Sequence, residues 1–525
     1  MSCTRFLFAF ALPALAVLVQ SPAARAGDFL NMRLSFNITD ENVLVKPGET
    51  VPSIPGPRIG TPIPRWGSLF FDNYDTRANA FENTSNMVLY KLVADGADDY
   101  EGAFVLRFNN LSDDLSAVRD GGSYLKYTHW FDPTRADKAN LTFTAFPMAA
   151  DMFRLGYSYK ISWGGSPIFF KTNPDNPFAS TGSSNSAPVP GFKMQLADDE
   201  GYVFLGAKTS MRLNESINEQ QTIYGVLGGA GYDVTEMLRL ETNGGFFHRG
   251  VNPIQSVLGR PMQTVGASAQ AMVHDGAPVG RSVDFNLYKN DPSGALRVFQ
   301  DEQYPGGVSW LLSAEGTYTS TVLQDARPDY TANIVRQPAL AGDVNARLKI
   351  DHLRVHADLT YMDLAFMLIN VPSFVPYQAI SSSIETVTPQ IFAAGGVDYF
   401  FTGPKLTVGV TGGIQTPATF KGHLPPSFTN ALPAEAIPDS SVVVIRSEGV
   451  FDILPAGYKV VPIYATKLSA VLEVGGFRVL AETLCAYDNN VTRLTRVNND
   501  PQQVSTRIFN KPWQLGFNVA FQARL

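Results

Sequence analysis

Cysteine is nearly missing from this chain. Cys3 and Cys485 are the two among 525 residues, so a framework of intrachain disulfides is excluded. Charge is also sparse, at 17% of residues, with 48 acidic against 41 basic side chains. That balance is the wrong sign for a nucleic-acid binder, which carries basic patches. After Val19 there is no long uninterrupted apolar run, so no helix crossing a membrane is expected in the body of the chain. Solenoid or propeller repeats of fixed period are missing. So are a G-x-S-x-G nucleophile elbow and a Walker loop. The six histidines, His129, His248, His274, His352, His356 and His423, sit in no motif that would specify a nucleophile or an activated water. His352 and His356 are four apart, which on a strand places them about 13 Å from each other along one face. They cannot share one ion unaided. Neither catalysis, nor a metal, nor a cofactor is expected.

Export is written in the first residues. Met1–Arg5 carries one positive charge, Phe6–Val19 is apolar apart from Pro13, and Ala24-Arg25-Ala26 is a small-x-small triplet. This is the order of a cleaved secretory signal peptide over residues 1–26. The mature chain would begin at Gly27. Losing Arg5 and Arg25 leaves 39 basic residues against 48 acidic, a net charge of −9.

The dominant pattern in residues 27–525 has period two, and successive side chains of a strand point to opposite faces. Leu30, Met32, Leu34, Phe36 and Ile38 oppose Asn31, Arg33, Ser35 and Asn37. Phe153, Leu155, Tyr157, Tyr159, Ile161 and Trp163 oppose Arg154, Gly156, Ser158, Lys160 and Ser162. The same sorting recurs at 140–145, 282–287, 343–350 and 353–360, and again through the last strand, Leu515 to Leu525. An eleven-residue strand reaches about 36 Å. Tilted near 45°, it covers roughly the 25 Å apolar band of an outer membrane. A soluble sandwich also alternates, but its strands run about five or six residues.

Turn signals separate these runs, among them Asp120-Gly121-Gly122, Asp275-Gly276 and Gly475-Gly476, and the link at Lys349–Asp351 is short enough for a hairpin. Three longer connections are rich in proline, near 39–66, 164–191 and 415–441, and proline is excluded from central ladders. They read as surface loops, with folding into a pore as the alternative. Met362–Ile380 is apolar yet interrupted by two prolines. A strand extended past a bulge, a docking loop and a segment folded inside all remain open for it. Nothing divides residues 27–525 into separate domains.

On the signal, the long dyad-repeat strands and the terminal Leu515-x-Phe517-x-Val519-x-Phe521, the chain resembles the bacterial outer-membrane β-barrel, or porin-like, class. In many such proteins the final residue is aromatic, and here it is Leu525. The resemblance implies an all-β fold, a transmembrane antiparallel up-and-down barrel. Counting segments gives about 18 strands, with 16 next, and the first and last would pair to remove both sheet edges. The resemblance further implies a Gram-negative outer membrane as location. Its lipid and the barrel insertion machinery would be partners, and a second copy or another envelope component is a further possibility. Passive diffusion of small polar solutes is the activity it implies. A structural or docking barrel in a secretion, motility or adhesion machine is the rival reading.

If the apolar stripe faces lipid, the opposite stripe faces the lumen. That sends Arg33, Arg154, Lys160, Arg239, Glu241, Glu315, Arg347, Lys349, Arg354, Asp358, Lys467, Glu473, Arg478 and Glu482 inward, because Arg or Lys facing lipid near the midplane costs about 2–4 kcal/mol. Trp130, Trp163, Trp310 and Trp513 fall near expected strand ends, where interfacial girdles use aromatics.

Overall fold

Strands that bury one face only need a partner on each edge, and the chain supplies it by meandering until its ends meet. The computed structural model describes residues 31–40, 42–46, 61–62, 72–73, 82–109, 117–120, 123–146, 154–158, 161–164, 189–214, 219–252, 254–276, 307–325, 327–369, 379–380, 385–421, 442–447, 450–474, 477–496 and 505–524. The wall strands are β1 (Asn31–Asp40), β2 (Glu82–Asp95), β3 (Asp98–Asn109), β4 (Tyr124–Trp130), β5 (Asn140–Phe146), β6 (Gly191–Ala197), β7 (Gly201–Asn214), β8 (Glu219–Asp233) and β9 (Leu238–Val251). They continue as β10 (Pro261–Asp275), β11 (Val308–Gln324), β12 (Ile334–Ile350), β13 (Leu353–Met362), β14 (Gln390–Phe401), β15 (Leu406–Thr416), β16 (Ile463–Val474), β17 (Phe477–Tyr487) and β18 (Trp513–Arg524). Each pairs antiparallel with the next. β1 also pairs with β18, Ile38 opposite Val519 and Arg33 opposite Arg524. The ring therefore closes on 18 strands, the number expected from the segment count, with the short strand Ala117–Asp120 paired to the end of β3 as a nineteenth member of the sheet. Closure removes every sheet edge, which is what backbone amides in hydrocarbon require.

Most connections alternate in length and give the barrel two unlike ends, the main exceptions being the 32 residues between Asp275 and Val308 at the tight-turn end and the four between Asn214 and Glu219 at the long-loop end. One end has tight turns, such as Asp351-His352 between β12 and β13, where Asp351 takes a left-handed φ of 47°. The other has long loops. Asp363 opens one of them by capping the short helix α1 (Leu364–Ile369), its carboxylate accepting from the Phe366 and Leu340 backbone N–H groups at 2.6 and 2.8 Å. A small four-stranded sheet, Glu385–Thr388, Ala418–Lys421, Val442–Ser447 and Val450–Ile453, stands at the same end. A hairpin of Thr492–Arg496 with Ser505–Phe509 lies there too.

The two faces of the wall are sorted by chemistry. Outward, Val203, Leu205 and Met211 on β7, Leu468 on β16 and Phe477 on β17 are each more than half exposed. Exposed aromatics stand at both rims, Tyr224, Tyr318, Tyr361, Tyr464 and Trp513 toward the loop end, and Tyr100, Tyr232, Tyr399, Phe401 and Phe477 toward the turn end. Between them the wall is Val, Leu, Ala and Gly, as in Val226, Gly228 and Ala230 on β8. Charged residues of outward parity, such as Lys91, Asp98, Asp275 and Arg336, sit near strand ends. An apolar belt of this extent is untenable in water, and lipid is the solvent it fits. Mean hydropathy is still near zero, −0.03, because the enclosed face is polar.

Two expectations are corrected here. Phe153–Trp163 does not form a wall strand. Within it, residues 154–158 and 161–164 make a turn closed by a single bridge between Leu155 and Trp163. Leu155, Tyr157, Ile161 and Trp163 are buried. Trp163 is thus no girdle residue, and its ring meets Phe247 edge-on at 4.8 Å between centroids. The proline-rich stretch near 415–441 is likewise not all loop. Gln415 and Thr416 end β15, and Ala418–Lys421 joins the small sheet. The alternating run at 282–287, the signal segment and most of the stretches near 39–66 and 164–191 lie outside the described residues.

Candidate functional site

The enclosed face of the barrel collects the charged groups. Arg239 and Glu241 lie on β9 near the turn end. The Arg239 guanidinium donates to Asp233 at 2.7 Å and to Glu241 at 3.0 Å, and packs over the Tyr202 ring. Tyr202 donates its hydroxyl proton to Glu241 at 2.9 Å. On β12 and β13, Arg347 reaches Asp358 at 2.9 Å, and Arg354 donates through Nε to Asp398 of β14 at 2.6 Å. Lys349 beside them is wholly buried. On β16 and β17, Arg478 donates through Nε to Glu473 at 2.9 Å, and Lys467 stands 3.8 Å from Glu482. Asn518 donates to the second Glu482 oxygen at 2.8 Å. Cross-strand registry brings these opposite signs together, so most of the wall's charge is compensated in place.

Glu315 is compensated differently. It stands directly across from Asp343 on the next strand, and among the described residues no ion pair reaches either carboxylate. Their hydrogen bonds come instead from the inward turn and from polar neighbours on the wall, Asn345 among them for Asp343. Glu315 accepts from the backbone N–H of Tyr157 at 2.7 Å and of Ser158 at 2.5 Å, and from Ser268 Oγ at 2.6 Å. Asp343 accepts from Ser158 Oγ at 2.6 Å and Thr360 Oγ1 at 2.7 Å. Gly156 N–H donates to Asn243 Oδ1 at 3.0 Å, and its φ of 97° is what aims successive N–H groups at the wall. Such a row of amides makes an anion-binding concavity, and each bond to an ionised partner is worth about 1.5–3 kcal/mol net. Lys208 Nζ fixes the far side of the turn by donating to the Gly164 carbonyl at 2.5 Å. The turn thus touches β7, β9, β11 and β12 from within, and it lies across the interior.

Arg154 belongs to this turn rather than to the wall, donating to the Ser162 carbonyl at 2.8 Å. The Arg33 side chain and the whole of Lys160 lie outside the described residues. Four charged participants on the wall, Asp233, Asp343, Asp398 and Lys208, were not among the expected site residues. Asp343 and Asp398 had the inward parity that would have found them. Lys208 did not stand out, because Tyr202 and Phe204 share its face.

Toward the loop end the interior becomes apolar. Tyr157, Ile161 and Trp163 of the turn, Phe366 and Met367 of α1, Met362 and Ala341 of the wall, and Phe420, Val443 and Ile445 of the small sheet form one buried cluster. Residues 364–369 of the ambiguous apolar stretch therefore fold inward. The small sheet is pinned by Arg446, which is buried between Asp452 and Asp488 at 2.7 Å from each. Burial pushes the Asp452 carboxyl up from its ordinary range, with Arg446 opposing. Among the described residues, no group of three or more His, Cys, Asp or Glu side chains could hold a metal.

No family model and no curated protein matches the chain. Among solved structures it is similar to OccD3 (OpdP) of Pseudomonas aeruginosa, at 8% identity and a TM-score of 0.43, over 97% of this chain and 94% of that one. It is similar to the outer membrane protein OprD of Pseudomonas aeruginosa, at 10% identity and a TM-score of 0.40, over 94% and 93%. OprB of Pseudomonas putida is similar at 10% identity and a TM-score of 0.39, over 94% of each chain. The strand pairing and the sorted faces, independent of these likenesses, make the chain an outer-membrane β-barrel in fold.

Proposed function

We propose that this barrel is a porin-like channel of a Gram-negative outer membrane, passing small polar solutes by passive diffusion. The observation that carries the reading is a closed ring of 18 strands around a polar wall of both charge signs, narrowed by an inward turn. At this strand number a barrel is wide enough for a water-filled path unless something fills it. Rings of mixed charge place transverse fields across such a path. The inward Arg239, Glu241, Glu315, Arg347, Lys349, Arg354, Asp358, Lys467, Glu473, Arg478 and Glu482, all buried except Glu473, are proposed to set the field that the solute crosses. Lipid and the barrel insertion machinery are the partners this reading needs. It assigns no cofactor, no catalysis and no nucleic acid. Single-channel recording of the purified, heat-modifiable protein in planar bilayers tests it. Discrete conductance steps are expected, and a folded barrel without conductance above background retires the proposal.

The apolar cluster at the loop end favours a second reading, a docking barrel in an envelope machine, since such a cluster obstructs solutes and rigidifies a surface. Mild crosslinking followed by purification should then return stoichiometric partners. A solitary barrel counts against it.

A further inference from the structure

We propose that Glu315, with Asp343 beside it, is the positioning carboxylate that holds the Gly156–Ser158 turn against the wall and so sets the width of the passage. The inference rests on the channel reading and adds to it a named residue that controls the constriction without belonging to the moving segment.

The geometry distinguishes Glu315 from the ion-paired charges of the wall. Arg239, Arg347, Arg354, Lys467 and Arg478 meet carboxylates of their own or adjacent strands, so those pairs brace the wall against itself. Glu315 spends both oxygens on a segment more than 150 residues away in sequence, through the backbone N–H groups of Tyr157 and Ser158. A backbone donor cannot be replaced by a rotamer change, so these two bonds fix where the turn's main chain lies. Ser158 Oγ adds the bond to Asp343, and Gly156 N–H the bond to Asn243. Two adjacent carboxylates with no ion-pair partner among the described residues repel each other. The turn's N–H groups lie where they relieve that repulsion, so holding the turn in place is favourable for the wall as well as for the turn. Ser268 Oγ donates to the same Glu315 oxygen as Tyr157 and keeps the carboxylate oriented when the turn is absent. On the other side, the turn's apolar residues enter the loop-end cluster. Release at Glu315 frees the polar edge that borders the passage while the apolar edge stays docked.

The test is bilayer recording of Glu315→Ala and Glu315→Gln beside the wild type, with Glu236→Gln in an exposed turn as control. Heat-modifiable gel mobility certifies folding in each case. Glu315→Ala should conduct at least about twofold more than wild type, with noisier open levels and passage of larger neutral polymers, as a wider polar constriction requires. Glu315→Gln keeps one acceptor oxygen and should fall between. A folded Glu315→Ala whose conductance and size cut-off equal those of a conducting wild type overturns the positioning role and leaves the channel reading intact. A silent wild type beside a conducting Glu315→Ala retires passive diffusion through the resting barrel while supporting the positioning role of Glu315, and silence in both overturns both. Should Glu315→Ala fail to fold, Asp343→Ala and Ser158→Ala each remove the bond between Ser158 Oγ and Asp343 that ties the same turn to the wall. A smaller widening in the same direction is then expected, and unchanged conductance in both overturns the role.

Discussion

At the scale of single residues, glycine and aromatic side chains fit each other across the inner wall. Phe247 lies over Gly225 of the neighbouring strand and under Gly164 of the inward turn. A Cβ placed at Gly225 would stand 2.6 Å from the ring, and one at Gly164 2.8 Å from it. Gly225→Ala should therefore cost about 1–3 kcal/mol by overpacking, read as a lower temperature for the heat-induced mobility shift. Gly316→Ala on the outward face of β11 meets nothing within 4 Å and should change stability by less than about 0.5 kcal/mol. Arg446 makes the opposite kind of case, since it is a buried cation serving two buried carboxylates. Arg446→Met leaves Asp452 and Asp488 uncompensated, at about 3–5 kcal/mol. The small sheet should then become open to limited proteolysis while the barrel's heat-induced shift stays where it was, because the loss falls on the loop end.

At the scale of elements, strand parity carries testable energetics. Leu468 and Ser469 are neighbours midway along β16, the first outward and the second inward. Leu468→Arg puts a guanidinium into hydrocarbon and should lower stability by about 2–4 kcal/mol, while Ser469→Arg, beside Glu482, should insert almost normally. Yields of heat-modifiable protein in outer-membrane fractions would check the difference. The same parity explains what was legible in the residues. Strands β12, β13 and β18 could be read directly because one face meets lipid and the other a polar interior, and the alternation is then nearly complete. In β7 and β8 the inner face packs against other protein, so Tyr202, Phe204, Ile223 and Leu227 are apolar on the wrong side for a simple reading. The segment 153–163 misled for the converse reason. Leu155, Tyr157, Ile161 and Trp163 enter the loop-end cluster while Gly156 and Ser158 face Asn243, Glu315 and Asp343 of the wall, so two environments are sorted without either being lipid. Alternation reports a change of surroundings every second residue. What the surroundings are depends on long-range contacts such as Glu315 to Tyr157, which no local pattern encodes.

At the scale of the whole molecule, everything depends on the seam between β1 and β18. All other wall contacts join strands adjacent along the chain, whereas this one joins residues close to 500 positions apart. A contact of that separation carries the largest closure entropy and forms last. Until it forms, β1 and β18 are open edges in a setting that cannot satisfy them. That is the physical reason to expect assistance from an insertion machinery. Ile38→Cys with Val519→Cys, in a Cys485→Ser background so that no third thiol competes, places two thiols on directly opposed residues at disulfide range. Oxidation of membrane-inserted protein should give a reducible species that no longer shows the full heat-induced shift, because the ring stays tied when its hydrogen bonds melt. Inserted protein with the signal removed at Gly27, verified by N-terminal mass, should crosslink nearly to completion. Urea-solubilised protein should not. Equal crosslinking in both states would mean the thiols meet without a barrel, and failure in the inserted state would mean that the wall is open at its seam.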